Sequence, residues 1–250
     1  MLKIYFLGTG TSTGIPQIGC ECEVCTSNDK KNKRLRASVL VKYADINILI
    51  DCGPDIRQQL LTTGVQQLDA VLITHEHYDH VGGLDDLRPL GENHVFAEKR
   101  VLENIKQIMP YAFSDKPYPG VPKINLHCVS EKKEFKIGDL TIQPVRLFHA
   151  KLPVLGYRFG KAAYITDLKT ISQESIESLR DLDVLVLNAL RINQHISHIS
   201  LDEAIILARK IGAKKTYFTH FSHDLGKHEV IEKLLPENMY LSYDNLEITV

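Results

Sequence analysis

The chain has 250 residues, 44% of them hydrophobic and 24% charged, with a formal net charge of -1. That size and balance predict a soluble globular protein with a large core, built as one domain or as two tightly joined halves. Near-neutral charge excludes a global attraction to nucleic acid or to an anionic membrane, and no apolar run is long enough to span a bilayer.

The N-terminus enters a strand at 2–7 directly, without the charged, apolar and small-residue order of a signal peptide, which predicts a cytoplasmic protein. Residues 8–36 read as irregular, being rich in Gly, Thr, Ser, Cys and charge. Cys20, Cys22 and Cys25 crowd together there; in a reducing compartment such crowding points to metal rather than to a disulfide framework. Strands follow at 37–43 and 46–51, with Asp45 at the hairpin turn between them, then a helix at 55–62 and a short apolar strand at 70–74.

His75-Glu76-His77-Tyr78-Asp79-His80 comes next, three histidines and an acid at the end of a buried strand. Side chains alternate along a strand, so His75 and His77 aim to one side, and the following turn brings Asp79 and His80 to a second point nearby. The pattern suits two metal ions better than one, although a single-metal site remains its rival until the rest of the chain supplies ligands. Imidazole with carboxylate suits zinc, manganese or iron.

Further along, helices are predicted at 82–90 and 99–109, with a strand at 94–97. Residues 110–123 hold four prolines and three aromatics, which suits a lid, a subunit contact or a plain connector. Strands are predicted at 139–145, 154–159, 162–166, 182–188, 214–219 and 246–250, and helices at 172–180, 200–211 and 227–235. The helix at 200–211 opens on a capping box, Ser200 with Glu203, and its apolar face is Ala204, Ile205, Leu207, Ala208 and Ile211. Strands with enough helices to cover two sheets predict an α/β layered sandwich. His149, Asp167 and His220 each stand just past an apolar strand, and strand ends converge along one edge of a sheet.

His-x-His-x-Asp-His followed by a single His, a single Asp and a final His resembles the signature of the metallo-β-lactamase fold in its dinuclear hydrolase form. The resemblance runs from Gly8-Thr9-Gly10 to Tyr243-Asp244-Asn245. It implies an αβ/βα four-layer sandwich as one domain over 1–250, with His75, His77 and His149 on one metal, Asp79, His80 and His220 on the other, and Asp167 bridging. Asp51 matches the family's Asp-x-Gly and is expected to organise the loop rather than to bind metal. Gly19-Cys20-Glu21-Cys22-Glu23-Val24-Cys25 is similar to the Gly-Cys-x-Cys-x-x-Cys insertion of the phosphoribosyl 1,2-cyclic phosphate phosphodiesterases, where three thiolates and a later histidine hold a structural zinc. The matching histidine here is His223, and three thiolates with one imidazole close a tetrahedron. This implies a zinc-binding loop insertion at 8–36.

The resemblance implies a phosphodiesterase for small cyclic or linear phosphodiesters, with two zinc or manganese ions sharing a hydroxide, and it allows a homodimer. Two metals roughly 3.5–4 Å apart lower the pKa of such a water toward about 7 and neutralise the diester's charge. His198, before the capped helix, is the candidate acid or phosphate ligand, with His195 second. Arg191 and Lys151 are candidate substrate contacts. Asp167-Leu168-Lys169 and Asn188-Ala189-Leu190-Arg191 depart from the relatives' patterns, so the substrate's identity does not carry over with the ligands. Three rivals stay open: a tRNA 3′-processing endonuclease, disfavoured because no basic arm is visible; a thioester or lactam hydrolase of the same fold; and a non-catalytic metal-binding protein.

Overall fold

The structure is a computed structural model that describes residues 1–116, 118–131 and 133–250. Two seven-stranded sheets face each other. The first contains β1 (Leu2–Gly8), β2 (Ser38–Tyr43), β3 (Ile46–Ile50), β4 (Ala70–Leu72), β5 (Glu92–Ala97), β6 (Lys123–Cys128) and β14 (Glu247–Thr249), in the order β14-β1-β2-β3-β4-β5-β6. The second contains β7 (Phe135–Ile137), β8 (Leu140–His149), β9 (Leu152–Phe159), β10 (Ala162–Ile165), β11 (Val184–Asn188), β12 (Lys215–Thr219) and β13 (Met239–Leu241), ordered β13-β12-β11-β10-β9-β8-β7.

Three apolar clusters define the layers. Ile4, Val41, Ile48, Ile142, Tyr157 and Val186 are among the buried residues joining the two sheets face to face. A second cluster lies between the first sheet's outer face and the helices α1 (Ile56–Thr63) and α3 (Lys99–Ile108), with Leu49, Val71, Ile56 and Ile105 buried. The third lies between the second sheet and α4 (Gln173–Glu177), α5 (Leu201–Ile211) and α6 (His228–Glu232), with Leu185, Phe218, Ile176, Ala208 and Ile231. The result is the expected αβ/βα four-layer sandwich, since each sheet shows one face to the other and one to helices. No helix among the described residues is long and apolar enough to cross a membrane.

Long periodic elements form where the pattern predicts them. The capping box of α5 is present: Ser200 accepts from the Glu203 amide, and Glu203 accepts from the Ser200 amide at 2.8 Å. The helix ends on Gly212 with φ 78°, a left-handed position that suits glycine. Ala204, Ala208 and Ile211 are buried, whereas Ile205 and Leu207 pack at the margin of the same cluster. Differences fall where local pattern is weak. The helix expected at 82–90 is a 3-10 segment, Leu84–Leu90, containing Pro89, and a separate short α2 (Tyr78–Val81) forms inside the histidine motif. Strands β6, β7 and β13 were not expected: β6 carries just two aliphatic residues, Ile124 and Leu126, and the other two span three residues. Within 110–123, Pro110–Phe113 forms a 3-10 turn and Pro117 lies outside the described residues.

Topology sets the site. β10, β11 and β12 run parallel, and β8 runs in the same direction because β9 is antiparallel to both β8 and β10. Their C-terminal ends therefore share one edge. The first sheet is tied to that edge by Leu155 N donating to Thr74 O at 3.1 Å and by Tyr157 Oη donating to Ile73 O at 2.7 Å. Gly53 lets the loop after β3 press on the histidine motif: a Cβ there would lie 2.1 Å from Asp79 O. Gly53→Ala is accordingly expected to cost about 1–3 kcal/mol of stability through overpacking. A urea denaturation curve with an unchanged midpoint would show that this contact does not constrain the loop.

Candidate metal centre

Four residues at or just past strand ends adopt left-handed backbone: Asp51 (φ 63°), Ala150 (φ 53°), Asp167 (φ 56°) and His220 (φ 61°). Such conformations are uncommon for non-glycine residues and gather at functional sites, where surrounding packing sustains them. Here they turn the chain sharply as it leaves β3, β8, β10 and β12, so the residues at those ends gather instead of continuing the strand direction.

The gathered side chains fall into overlapping groups whose ligand atoms all lie within 4.8 Å of one another: His75, His80 and Asp167; Asp79, His80 and His220; and His149, Asp167 and His198. Asp167 joins the first to the third, and His80 the first to the second. His80 Nε2 lies 3.1 Å from Asp79 Oδ2 and 3.3 Å from Asp167 Oδ2, and His220 Nε2 lies 3.3 Å from Asp167 Oδ1. His77 is exposed and belongs to none of these groups, although its ring is 4.5 Å from His75 and 5.2 Å from His149.

The donor set fits divalent cations. His75 Nε2, His80 Nε2, both ring nitrogens of His220 and His198 Nδ1 are buried without a hydrogen-bond partner among the described residues. Buried nitrogens rarely stay unpartnered in a finished structure, and here they surround two carboxylates. Burial works to raise the carboxyls of Asp79 and Asp167, but the neighbouring imidazoles outweigh it and hold both well below the usual carboxylate range. Both are ionised acceptors at neutral pH.

The opposite ring nitrogens are held from behind. His80 Nδ1 meets Asp51 Oδ2 at 2.7 Å, and Thr74 Oγ1 lies 3.0 Å from both Asp51 oxygens and 3.0 Å from His75 Nδ1. A Thr74 hydroxyl that donates to Asp51 accepts from His75 Nδ1–H, which leaves Nε2 of both rings as lone-pair donors. His149 Nδ1 lies 2.7 Å from Ser197 O, with the same consequence. Asn188, at the end of β11, clamps the residue after Asp167, accepting from Leu168 N at 2.9 Å and donating to Leu168 O at 3.2 Å. Sequence reasoning did not select Thr74, Asn188 or Ser197. A threonine just before the motif and an asparagine closing an apolar strand were the available signals.

His198 stacks between the histidines, its ring 4.3 Å from His149 and 5.0 Å from His220, with Nδ1 3.8 Å from Asp167 Oδ1. Burial pushes its pKa down to about 3 against the pull of Asp167, which favours the neutral imidazole. His195 stands further out, 5.3 Å from His198, and accepts from the Ser197 amide at 3.3 Å. Arg191 braces its own loop, donating to Asn193 O and Gln194 O at 3.2 and 2.9 Å. Lys151 is exposed in the turn between β8 and β9.

A second cluster joins segments about two hundred residues apart. Cys20, Cys22, Cys25 and His223 bring their ligand atoms within 4.8 Å, and His223 Nδ1 is 3.3 Å from the sulfurs of both Cys20 and Cys22. The amide of Cys25 and the ring of His223 pull the Cys22 thiol down to about 6, favouring thiolate. Three sulfurs and one imidazole form a closed tetrahedral donor set suited to zinc.

A model of the beta-lactamase superfamily domain matches residues 46–221. The chain belongs to this superfamily. A crystal structure described as a new diphosphatase from the PhnP family superposes with a TM-score of 0.94 at 38% identity, over 100% of this chain and 98% of that one. The chain thus has the metallo-β-lactamase fold and is similar over its whole length to a PhnP-family protein. A protein of Porphyromonas gingivalis named octanoyltransferase is 44% identical over the whole chain, which spans 52% of that protein's length. Zinc-bound PqqB from Methylobacterium extorquens shares the fold at TM-score 0.82 and 18% identity, over 99% of this chain and 100% of that one. Human tRNase Z, short form, shares it at 0.74 and 19%, over 99% and 98%. The donor set is of a kind that suits divalent metal.

Two substitutions test the supports. Asp51→Asn is expected to weaken active-site metal binding about 10–100-fold in chelator competition, the usual cost of losing such a partner. Cys22→Ser is expected to lower metal content by about one ion per chain and to reduce thermal stability. Unchanged stoichiometry by elemental analysis would remove the zinc assignment.

Proposed function

We propose that this chain is a metal-dependent phosphodiesterase acting on small cyclic or linear phosphodiesters. His198 is the observation that carries the reading: a neutral, buried imidazole with an unpartnered nitrogen, standing among His149, Asp167 and His220. Bound at the two groups of donors, divalent ions supply charge neutralisation and activation of water. His75, His77 and His149 would hold one ion and Asp79, His80 and His220 the other, with Asp167 between them. Asp51 and Thr74 keep the ring nitrogens of His80 and His75 presented toward that space. His198 would donate a hydrogen bond to a phosphoryl oxygen; the anion beside it opposes the effect of burial and raises its proton affinity, so that the imidazole takes up a proton from solvent on substrate binding and passes that proton to the leaving oxygen. Buried walls exclude bulk water, which strengthens each of these interactions.

The 38%-identical relative is described as a diphosphatase, which supports chemistry at phosphorus. Acyl transfer, suggested by the Porphyromonas gingivalis protein's name, would require a nucleophile beside the site. Cys52 is fully buried with its thiol pushed well up by burial, and Lys169 is tied to Glu203 at 3.1 Å, so neither serves. His198→Ala is expected to lower kcat/KM on bis-p-nitrophenyl phosphate about 10²–10⁴-fold, the range for a lost general acid. Metal content is expected to stay unchanged. Full turnover in that variant would remove His198 from the reaction, and hydrolysis of pre-tRNA in preference to small diesters would replace the reading with the endonuclease one.

A further inference from the structure

The histidines of the centre are held in place by different means. Asp51 meets the ring of His80, Thr74 that of His75, and Ser197 O that of His149. His220 leaves β12 in left-handed backbone and is 1% exposed, so packing holds it. His77 has neither support: it is exposed, and no hydrogen bond reaches its ring among the described residues. Its ring lies 4.5 Å from that of His75 and 5.2 Å from that of His149, so something else brings it there.

The neighbour of His77 in the chain is fastened instead. Glu76, between His75 and His77, pairs with Arg100 Nη1, and its other oxygen, Oε2, is buried without a hydrogen-bond partner among the described residues. Arg100 Nη2 donates to Pro153 O at 2.6 Å. Pro153 lies opposite Phe148 in the β8–β9 hairpin, and His149 follows Phe148 directly. One guanidinium therefore ties the segment that carries His77 to the strand pair that carries His149, across the seam between the sheets. Arg100 stands in the first turn of α3, whose Val101, Leu102 and Ile105 are buried, so a packed element presents it. Its two donors keep a fixed plane, which suits a carboxylate on one nitrogen and a carbonyl on the other. Arg146 crosses the same seam without touching the 75–80 run: from β8 its guanidinium pairs with Glu98, at the head of α3, and with Glu131.

We propose that Arg100 is a positioning residue of the metal centre: through Glu76 it fixes the main chain at His77, so that His77 and His149, from opposite sheets, serve one ion. This rests on the division of ligands between two ions given above. Arg100 touches neither metal nor substrate in this role. A ligand that must be ordered when the ion arrives costs affinity, and a ligand already placed does not. An ion pair as partly exposed as this one contributes little to stability, with side-chain exposures of 36% and 19%, so its effect falls on metal retention rather than on folding.

Chelator competition on the zinc-loaded protein, with retained ions counted by elemental analysis, measures this directly. Arg100→Ala is expected to weaken one active-site ion about 10–100-fold and to leave the other, and the ion at the cysteines, as in the wild type. Glu76→Ala is expected to match it, and the double variant to lose no more than either, because both remove one contact. His77→Ala marks which ion that is, and adding Arg100→Ala to it is expected to weaken nothing further. Arg146→Ala is expected to lower the melting temperature and keep every ion. Arg100→Lys keeps the charge without the planar fork and is expected to fall between wild type and Arg100→Ala, which preserves a readout if the alanine variant does not fold. Wild-type retention of every ion in Arg100→Ala or, where that variant does not fold, in Arg100→Lys, equal weakening of both active-site ions, an additive double variant, or the same loss in Arg146→Ala overturns the positioning role. A wild type that holds a single active-site ion overturns it together with the two-ion reading. Turnover of phosphodiesters is a separate measurement, and its absence would end the phosphodiesterase reading without touching these results.

Discussion

The buried carboxylate of Asp51 is the contact on which the rest of the centre depends. It has no exposure to solvent, yet it sits 2.7 Å from His80 and within 3.0 Å of the Thr74 hydroxyl and 2.9 Å of the Thr74 amide. A carboxylate so placed would be costly alone. Surrounded by donors, it sets the tautomer of His80, and through Thr74 that of His75. It also spans two strands, since Asp51 follows β3 and Thr74 follows β4, which are parallel neighbours. One side chain thus holds the first sheet's edge together and aims its ligands.

The second sheet contributes a buried acid of its own, Asp167, and positions it through the backbone. Asp167 and His220 leave parallel strands in left-handed conformation, and Asn188 on the strand between them clamps Leu168. Parallel strands end on the same edge, so three successive strands deliver a carboxylate, a clamp and an imidazole side by side. The sheets are then stitched at that edge by Tyr157 and Leu155. The site is the place where the two sheets meet.

Much of this was legible in the residues. The dense His-Asp run, the lone ligand types after apolar strands and the triple cysteine are local patterns, and the structure brings these residues together in space, the exposed ring of His77 lying 4.5 Å from that of His75. The capping box of α5 formed as read, because caps depend on four adjacent residues. Misreadings have a common cause. β6 sits at a sheet edge with alternating exposed and half-buried positions, so its pairing with β5 rather than its composition makes it a strand. Leu84–Leu90 is 3-10 rather than α because Pro89 lies within it. Thr74, Asn188 and the Ser197 carbonyl escaped notice because their roles come from partners distant in sequence. Arg191, a candidate substrate contact, bonds through its guanidinium to the Asn193 and Gln194 carbonyls of its own loop, a geometry that charge alone does not disclose.

By itself the sequence determined the ligand inventory, most of the longer strands and helices, and the likeness to a family, because these rest on residue type and short-range periodicity. Only tertiary structure decided which ligand atoms share a point in space. Cys22 and His223, Asp51 and His80, and His149 and Ser197 are joined by the convergence of strand ends and by left-handed turns, both of which come from packing two sheets against each other. The histidine run at 75–80 is one half of a centre whose other half is supplied by the facing sheet, and no local pattern contains that distance.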